Sequence, residues 1–157
     1  MLSDVYRINW TSYAQPDENS ASSVPDAIQM LATATEANAE KAYYNFLYAI
    51  GNDHCGIYYP VVLPTIPFLG ALLESAKEII RVRVLDVLID LVCSFEPQPG
   101  FETVATAEGP VEVQGLLLAA IKKLVPTIEA IKASAVEGAQ ERSLAEELLA
   151  GLASVGE

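Results

Sequence analysis

The segment Asp53-His54-Cys55 combines a carboxylate, an imidazole and a thiol, which are the groups that cysteine-dependent catalysis uses. Neighbouring residues rarely point toward one another, however, and a catalytic Cys-His pair normally unites distant parts of a chain. His54 is the only histidine, and no glycine-rich phosphate cradle follows a strand, so the common zinc and nucleotide motifs are missing. We therefore predict no catalytic, cofactor-binding or metal-binding residues. If iodoacetamide labels Cys55 at neutral pH no faster than it labels an ordinary cysteine, the thiol is not activated.

A second candidate for chemistry is the pair Asp86 and Asp90, one helical turn apart. This spacing suits acid/base catalysis or a divalent cation only where further carboxylates converge. The alternative is that both residues belong to the solvated stripe of a buried helix. Within residues 78–95 a continuous polar stripe contains Arg83, Asp86, Asp90 and Ser94, and most other positions are apolar. Such a helix must be covered by other helices, before and after it in the chain.

Composition favours one folded domain with an acidic surface. A chain of 157 residues, 52% of them hydrophobic, can bury a sizeable core. The formal net charge of -12 would repel nucleic acids and anionic membranes, so a partner chosen by charge should be a basic protein. The alternative is that the carboxylates only keep the protein solvated.

The N-terminal sequence has no basic leader or apolar run of signal-peptide length, and charged residues interrupt the longest apolar window. We therefore expect a cytoplasmic location and no membrane association. Cys55 and Cys93 are then expected to be reduced thiols, although a single disulfide is an alternative. Cys93, on an apolar helix, is predicted to pack in the core.

Three segments of the chain fall into one register when their prolines are aligned at Pro25, Pro67 and Pro126. Each proline follows a β-branched residue and predicts the first turn of a helix. A Thr or Ser with Glu three residues later then resembles a capping box at the start of a second helix. A rival register, which aligns Pro64 with Pro126, shifts the third copy by about one helical turn and predicts the same architecture.

The predicted fold is all-α, a short α-solenoid of three HEAT-like helical hairpins. Residues 1–23 form an irregular N-terminal arm, and residues 24–157 form a single domain. The hairpins cover about residues 24–52, 60–95 and 111–153. A proline- and glycine-rich loop, residues 96–110, separates the last two. Residues 111–132 are expected to form one helix kinked at Pro126, and the helix from Tyr59 is expected to be kinked at Pro64 and Pro67. The last helix, about residues 139–153, should face solvent with Glu141, Glu146 and Glu147.

The repeat register also predicts a binding surface. It places Arg83, Asp86 and Asp90 beside Lys41, Tyr44 and Tyr48, because second helices of successive hairpins lie side by side. Tyrosine provides a large, stiff contact area at interfaces. The predicted protein-binding residues, including the loop after Tyr48, are Tyr44, Tyr48, Asp53, His54, Tyr58, Arg83, Asp86 and Asp90. The alternative for Tyr43, Tyr58 and Tyr59 is packing between repeats.

Several short motifs resemble those of small bacterial HEAT-repeat proteins. They are Trp10-Thr11-Ser12, Val24-Pro25, Gly56-x-Tyr58-Tyr59-Pro60, Pro64-x-x-Pro67-Phe68-Leu69 and Arg83-x-Leu85-x-x-Leu88. The resemblance spans residues 8 to about 125, and it departs at Asp53-His54-Cys55-Gly56, where such proteins have a His-Gln-Gly loop. Proteins of this kind are often encoded beside toxins of interbacterial competition. The resemblance therefore implies an immunity-type inhibitor, and it carries over no catalytic residues.

The function expected from the sequence is stoichiometric binding of a protein by a monomer or weak dimer, with a toxin as the candidate partner. One alternative is a structural or adaptor subunit that oligomerises through an exposed edge. The other is a HEAT-like enzyme acting on nucleic acid, which would need a basic concave face that this acidic chain does not predict.

Overall fold

A computed structural model describes residues 1–155 of the chain. The chain is 62% helical with 9% in strands, so the prediction of a mainly helical fold is confirmed. The α-helices are α1 (Ser23–Ala32), α2 (Ala39–Ile50), α3 (Ile66–Leu73), α4 (Glu78–Cys93), α5 (Val113–Lys122), α6 (Val125–Ser134) and α7 (Gln140–Ser154). Short 3-10 helices cover Leu2–Arg7, Trp10–Ser12 and Pro60–Thr65. Across residues 1–155, no helix has both the length and the apolar character needed to cross a bilayer.

The three aligned prolines all lie in the first turn of a helix, as the sequence predicts. Pro25 is in α1, Pro67 in α3 and Pro126 in α6. Proline is tolerated there because its missing N–H would have no partner inside the helix. The capping boxes, in contrast, do not form. The second helices begin after Asn38, Lys77 and Ala139, and none of these residues caps its helix with a side chain.

Helix α4 occupies the centre of the molecule. It packs between α2 and α7, while α1, α3 and α6 pack against α2, α4 and α7 respectively. α3 also contacts both α1 and α6. Ile80, Val84, Leu85 and Leu88 on α4 are buried in one continuous core. The expectation that this helix is covered by helices before and after it in sequence is therefore confirmed.

Two of the predicted long helices are wrong. Residues 111–132 do not form one kinked helix, because α5 ends at Lys122 and α6 begins at Val125. Likewise, the segment after Tyr59 is a 3-10 helix containing Pro64, followed by α3. A proline inside a helix removes a backbone donor and clashes with the preceding turn, and at both places the chain breaks the helix instead of bending it.

The helices are accompanied by a small amount of β-structure that the sequence did not predict. Strand β1 (Gly51–Asn52) pairs antiparallel with β2 (Ile57–Tyr58), which pairs parallel with β3 (Glu96–Pro97). Strands β4 (Thr103–Thr106) and β5 (Gly109–Glu112) form a hairpin. Gly109 has φ 115°, a backbone conformation that favours glycine. The predicted loop at residues 96–110 thus contains β3, β4 and the start of β5.

The N-terminal arm is attached to the core by Trp10. Its ring is buried 6.1 Å from the ring of Phe68 on α3, and its Nε1 donates a 2.7 Å hydrogen bond to the carbonyl oxygen of Val5. Tyr13, three positions further along the arm, is 37% exposed. A buried indole whose N–H has a partner is stable in this position.

Helix α7 agrees with the predicted range of the last helix. Two side chains where α7 meets α4, however, lie in an environment that differs from the predicted one. Glu141 was expected to face solvent, yet it is buried against Arg81 of α4. Cys93 was expected to pack in the core, yet it is exposed near the end of α4. Both differences arise where α7 packs against α4. Glu146 and Glu147 are exposed as predicted.

Candidate protein-binding surface

The seam between α2 and α4 brings the predicted tyrosines and carboxylates together. The hydroxyl of Tyr43 donates a hydrogen bond to Oδ2 of Asp90. The Tyr43 and Tyr44 rings meet edge to face, with centroids 4.9 Å apart. The polar edge of α2 is thereby joined directly to that of α4. We call the surface formed by Tyr43, Tyr44, Asp53, Asp86 and Asp90 the tyrosine-carboxylate strip.

The strip contains more carboxylates than cations. Asp90 lies close enough to Asp53, Asp86 and Glu147 for their charges to raise its pKa, although burial is the largest cause of the increase. The hydrogen bond from Tyr43 acts in the opposite direction. The pKa of Tyr43 is itself raised, chiefly by burial and then by its bond to Asp90. A concentration of partly desolvated negative charge is therefore built into the seam.

Arg83 contributes a positive charge to this surface. Its Nη1 lies 3.2 Å from Oδ2 of Asp86, and the guanidinium lowers the pKa of that carboxyl while burial, the larger effect, raises it. Nε of Arg83 is buried and has no hydrogen-bond partner within residues 1–155. One guanidinium thus offsets only part of the negative charge on the strip.

Tyr44 and Tyr48 have the accessibility that a binding surface requires, because 43% and 49% of each residue is exposed. They are one turn apart on α2. In the following loop His54 is exposed and Asp53 is partly buried. Tyr48 and His54 therefore extend the strip toward the carboxyl end of α2.

Tyr58 corrects the predicted site. Only 1% of this residue is exposed, so it cannot contact a partner in this conformation. Its hydroxyl is buried without a hydrogen-bond partner among the described residues. Burial, with a smaller contribution from Glu96, raises the pKa of Tyr58 to about 12. For Tyr58, the alternative interpretation as a packing residue is therefore correct.

Two residues of the surface were not among the predicted site residues. Packing between repeats was the alternative for Tyr43, and at the α2–α4 seam this residue connects α2 to Asp90. The sequence signal that could have identified it is a second tyrosine directly before Tyr44. Glu147 of α7 influences Asp86, Asp90 and Cys93. No local pattern indicated this, because the approach of α7 to α4 is a tertiary feature.

Within residues 1–155 no group of three or more His, Cys, Asp or Glu side chains has an arrangement that could hold a metal ion. The carboxylates of the strip are close enough to influence one another without converging on one point. Their arrangement suits contact with a cationic surface better than coordination of a cation.

Comparisons with protein-family models, with curated proteins and with solved structures find no significant match to this chain.

Proposed function

We propose that this protein is a non-catalytic protein-binding module that captures a basic partner on the tyrosine-carboxylate strip. In this proposal α1–α2, α3–α4 and α6–α7 are three HEAT-like hairpins of a short α-solenoid. The pairing of first and second helices and the position of α4 between α2 and α7 support this arrangement. Such a stack merges polar edges of successive helices into one surface.

The observation that carries the proposal is the hydrogen bond between Tyr43 and Asp90, which makes the edges of α2 and α4 continuous. Beside it, half-exposed Tyr44 and Tyr48 can contribute aromatic contact area. The carboxylates would accelerate association with a basic partner and disfavour an acidic one. In this proposal the tyrosines contribute contact area, and the carboxylates contribute association rate and selectivity for a basic partner.

The biological role we propose is that of an immunity-type inhibitor, in which the partner is a toxin covered by the strip. This finer role rests on the resemblance of Val24-Pro25, Pro64-x-x-Pro67-Phe68-Leu69 and the related motifs to small bacterial HEAT-repeat proteins. The net charge of -12 favours a toxin with a basic surface.

Charge reversal tests the surface directly. We expect the double variant Asp86→Lys with Asp90→Lys to lose the partner that the wild-type protein co-purifies from its native cells, because like charges would then face each other. The helical circular dichroism spectrum should be retained. A matched control, Glu36→Lys with Glu137→Lys, makes the same charge change at exposed positions between helices and should retain the partner.

If the charge-reversal variant lost its fold as well as the partner, it would not test the surface. A second variant is therefore needed. Tyr44→Ala with Tyr48→Ala removes two half-exposed rings and should change the stability little. Full partner capture by both strip variants, with the fold intact, would reject the proposed surface.

A further inference from the structure

A cleft of about 540 Å³ adjoins the strip at Tyr48. It lies between the N-terminal arm and the α1–α2 hairpin, and its walls include Glu18, Asn19, Asp26, Met30, Asn45 and Tyr48. This volume falls in the range of ligand-binding clefts and has room for one long side chain. Because Tyr48 belongs both to the cleft and to the extension of the strip, a partner seated on the strip would reach the cleft.

The polar groups of the cleft are mainly hydrogen-bond acceptors. Glu18 and Asp26 contribute carboxylates, although Oδ1 of Asp26 already accepts a 2.8 Å hydrogen bond from the hydroxyl of Tyr6. Asn19 uses its Nδ2 internally, donating to the carbonyl oxygen of Ala49 at 2.7 Å and to Oε1 of Gln15 at 3.0 Å. Nδ2 of Asn45 is directed at Sδ of Met30, 3.4 Å away. Asn19 therefore retains its amide oxygen for a ligand, and Asn45 retains its amide oxygen and one N–H.

The electrostatics of the cleft also favour a cation. It is lined by the last turns of α2, from Asn45 to Gly51, where the helix dipole places negative partial charge. The opposite, positive end of α1 also borders the cleft, but Asp26 lies in the first turn of that helix and offsets it. Among the described residues, none that lines the cleft is a lysine or an arginine.

We propose that this cleft receives an arginine side chain of the partner protein. A guanidinium has five donors, no acceptor and a fixed positive charge, which matches two carboxylates and two amide oxygens. Its plane can stack on the ring of Tyr48, whereas a lysine ammonium offers three donors and no plane. Oδ1 of Asn52 is less free to accept, because one of its lone pairs already takes the backbone N–H of Cys55 at 3.1 Å.

This inference rests on the proposed function, since the arginine belongs to the partner on the strip, but the cleft can be tested without that partner. The probe is N-acetyl-arginine amide, titrated into the full-length, 15N-labelled protein at low ionic strength. We expect saturable shifts of the Asn45 side-chain amide and the Tyr48 backbone amide, with a dissociation constant on the order of 1 mM. N-acetyl-citrulline amide, which is similar in shape and uncharged, should bind more weakly.

The cleft variant is Glu18→Gln with Asp26→Asn, and it should weaken the arginine probe about threefold to tenfold, as expected for two exposed ion pairs. The control Glu36→Gln with Glu40→Gln makes the same charge change near the start of α2, outside the cleft, and should bind as wild type. Equal affinity for the citrulline probe, tighter binding of N-acetyl-lysine amide, equal weakening by the control, or no saturable shift would each overturn the proposal.

The two proposals fail separately. Absence of probe binding, with partner capture still abolished by Asp86→Lys and Asp90→Lys, would reject the arginine cleft and retain the strip. Specific probe binding with full partner capture by the strip variants would reject the strip as the interface and leave an arginine-binding cleft.

Discussion

Helix α4 has two polar seams, and they differ in how their charges are satisfied. Against α7, Arg81 forms a bidentate ion pair with Glu141, with Nε to Oε2 at 2.6 Å and Nη2 to Oε1 at 3.0 Å. Nη1 of Arg81 also donates to the carbonyl oxygen of Ser75 at 2.8 Å. Against α2, Asp90 is paired with a neutral tyrosine and lies near further carboxylates.

This difference separates a structural contact from a surface prepared for binding. The Arg81–Glu141 pair of the α4–α7 seam is electrically balanced and mostly buried, so it holds two helices together. The α2–α4 seam has excess negative charge, which lowers the stability of the free protein and can be offset by a basic partner. Three predictions test this contrast, in decreasing order of expected effect.

Glu141→Ala should destabilise the protein by about 3 kcal/mol, because it leaves the largely buried Arg81 guanidinium without its carboxylate. Urea denaturation followed by circular dichroism measures this change. The neighbouring pair Arg142 and Glu146 is much more exposed, with Nε to Oε1 at 3.4 Å, and serves as the control. Glu146→Ala should cost less than about 1 kcal/mol.

If the Arg81 pair acts only through its buried charge, then Arg81→Met with Glu141→Leu should recover most of the lost stability, because apolar residues often replace such pairs at little cost. Equal losses of stability for Glu141→Ala and Glu146→Ala would show that the Arg81–Glu141 pair stabilises the protein no more than an exposed ion pair does.

The close approach of α7 to α4 at Gly151 gives a smaller expected effect. A Cβ at Gly151 would lie 2.7 Å from Sγ of Cys93, so Gly151→Ala gains helix propensity only if that sulfur moves. We expect Gly151→Ala to stabilise the Cys93→Ala protein by about 1 kcal/mol and to have little effect when Cys93 is present.

Gly115 of α5 provides the matched control, since nothing lies within 4 Å of a Cβ built there. Gly115→Ala should stabilise both backgrounds equally, by up to about 1 kcal/mol. For each glycine, the four proteins are the wild type, the glycine variant, Cys93→Ala and the double variant. Chemical denaturation of these four measures the coupling between that glycine position and Cys93. Equal gains from Gly151→Ala with and without Cys93 would contradict the tight α4–α7 contact.

The pH dependence of stability should report the unbalanced α2–α4 seam. Burial raises the pKa of Asp86 and Asp90 above the ordinary value of 3.8. The folded state therefore holds more protons than the unfolded state, and these carboxyls lower stability as the pH rises from about 3.8 through their raised pKa values. Melting temperatures at pH 4 and pH 7 measure this change of stability with pH.

Relative to wild type, Asp90→Asn should reduce this fall in stability because it removes one titrating group. Tyr43→Phe should increase it, since the lost hydrogen bond is one that lowers the pKa of Asp90. Identical slopes for wild type, Asp90→Asn and Tyr43→Phe would show that the strip does not hold desolvated charge.

Features that depend on local sequence were predictable. Pro25, Pro67 and Pro126 each predicted a helix start, and the apolar pattern of residues 78–95 predicted a covered helix. The stripe containing Arg83, Asp86 and Asp90 correctly placed these side chains at one edge of α4. A proline or a helical period acts over one or two turns, which is the distance that a sequence pattern describes.

Errors occurred where neighbouring elements decide the environment. Tyr58 is buried, Cys93 is exposed and Glu141 is buried with Arg81. None of these outcomes follows from the residues next to each position in the chain. The short strand pairs were also missed, because β2 pairs with β3 from a distant segment.

By itself, the sequence determined that the chain is mainly helical, where its proline-led helices begin, and that its surface is strongly acidic. Only the tertiary structure decided which acidic groups are balanced and which are not. Glu141 faces Arg81 across one seam, whereas Asp90 faces Tyr43 across the other. The physical reason is that electrostatic energy depends on distance and burial in three dimensions, and neither is encoded by the spacing of charges along one helix.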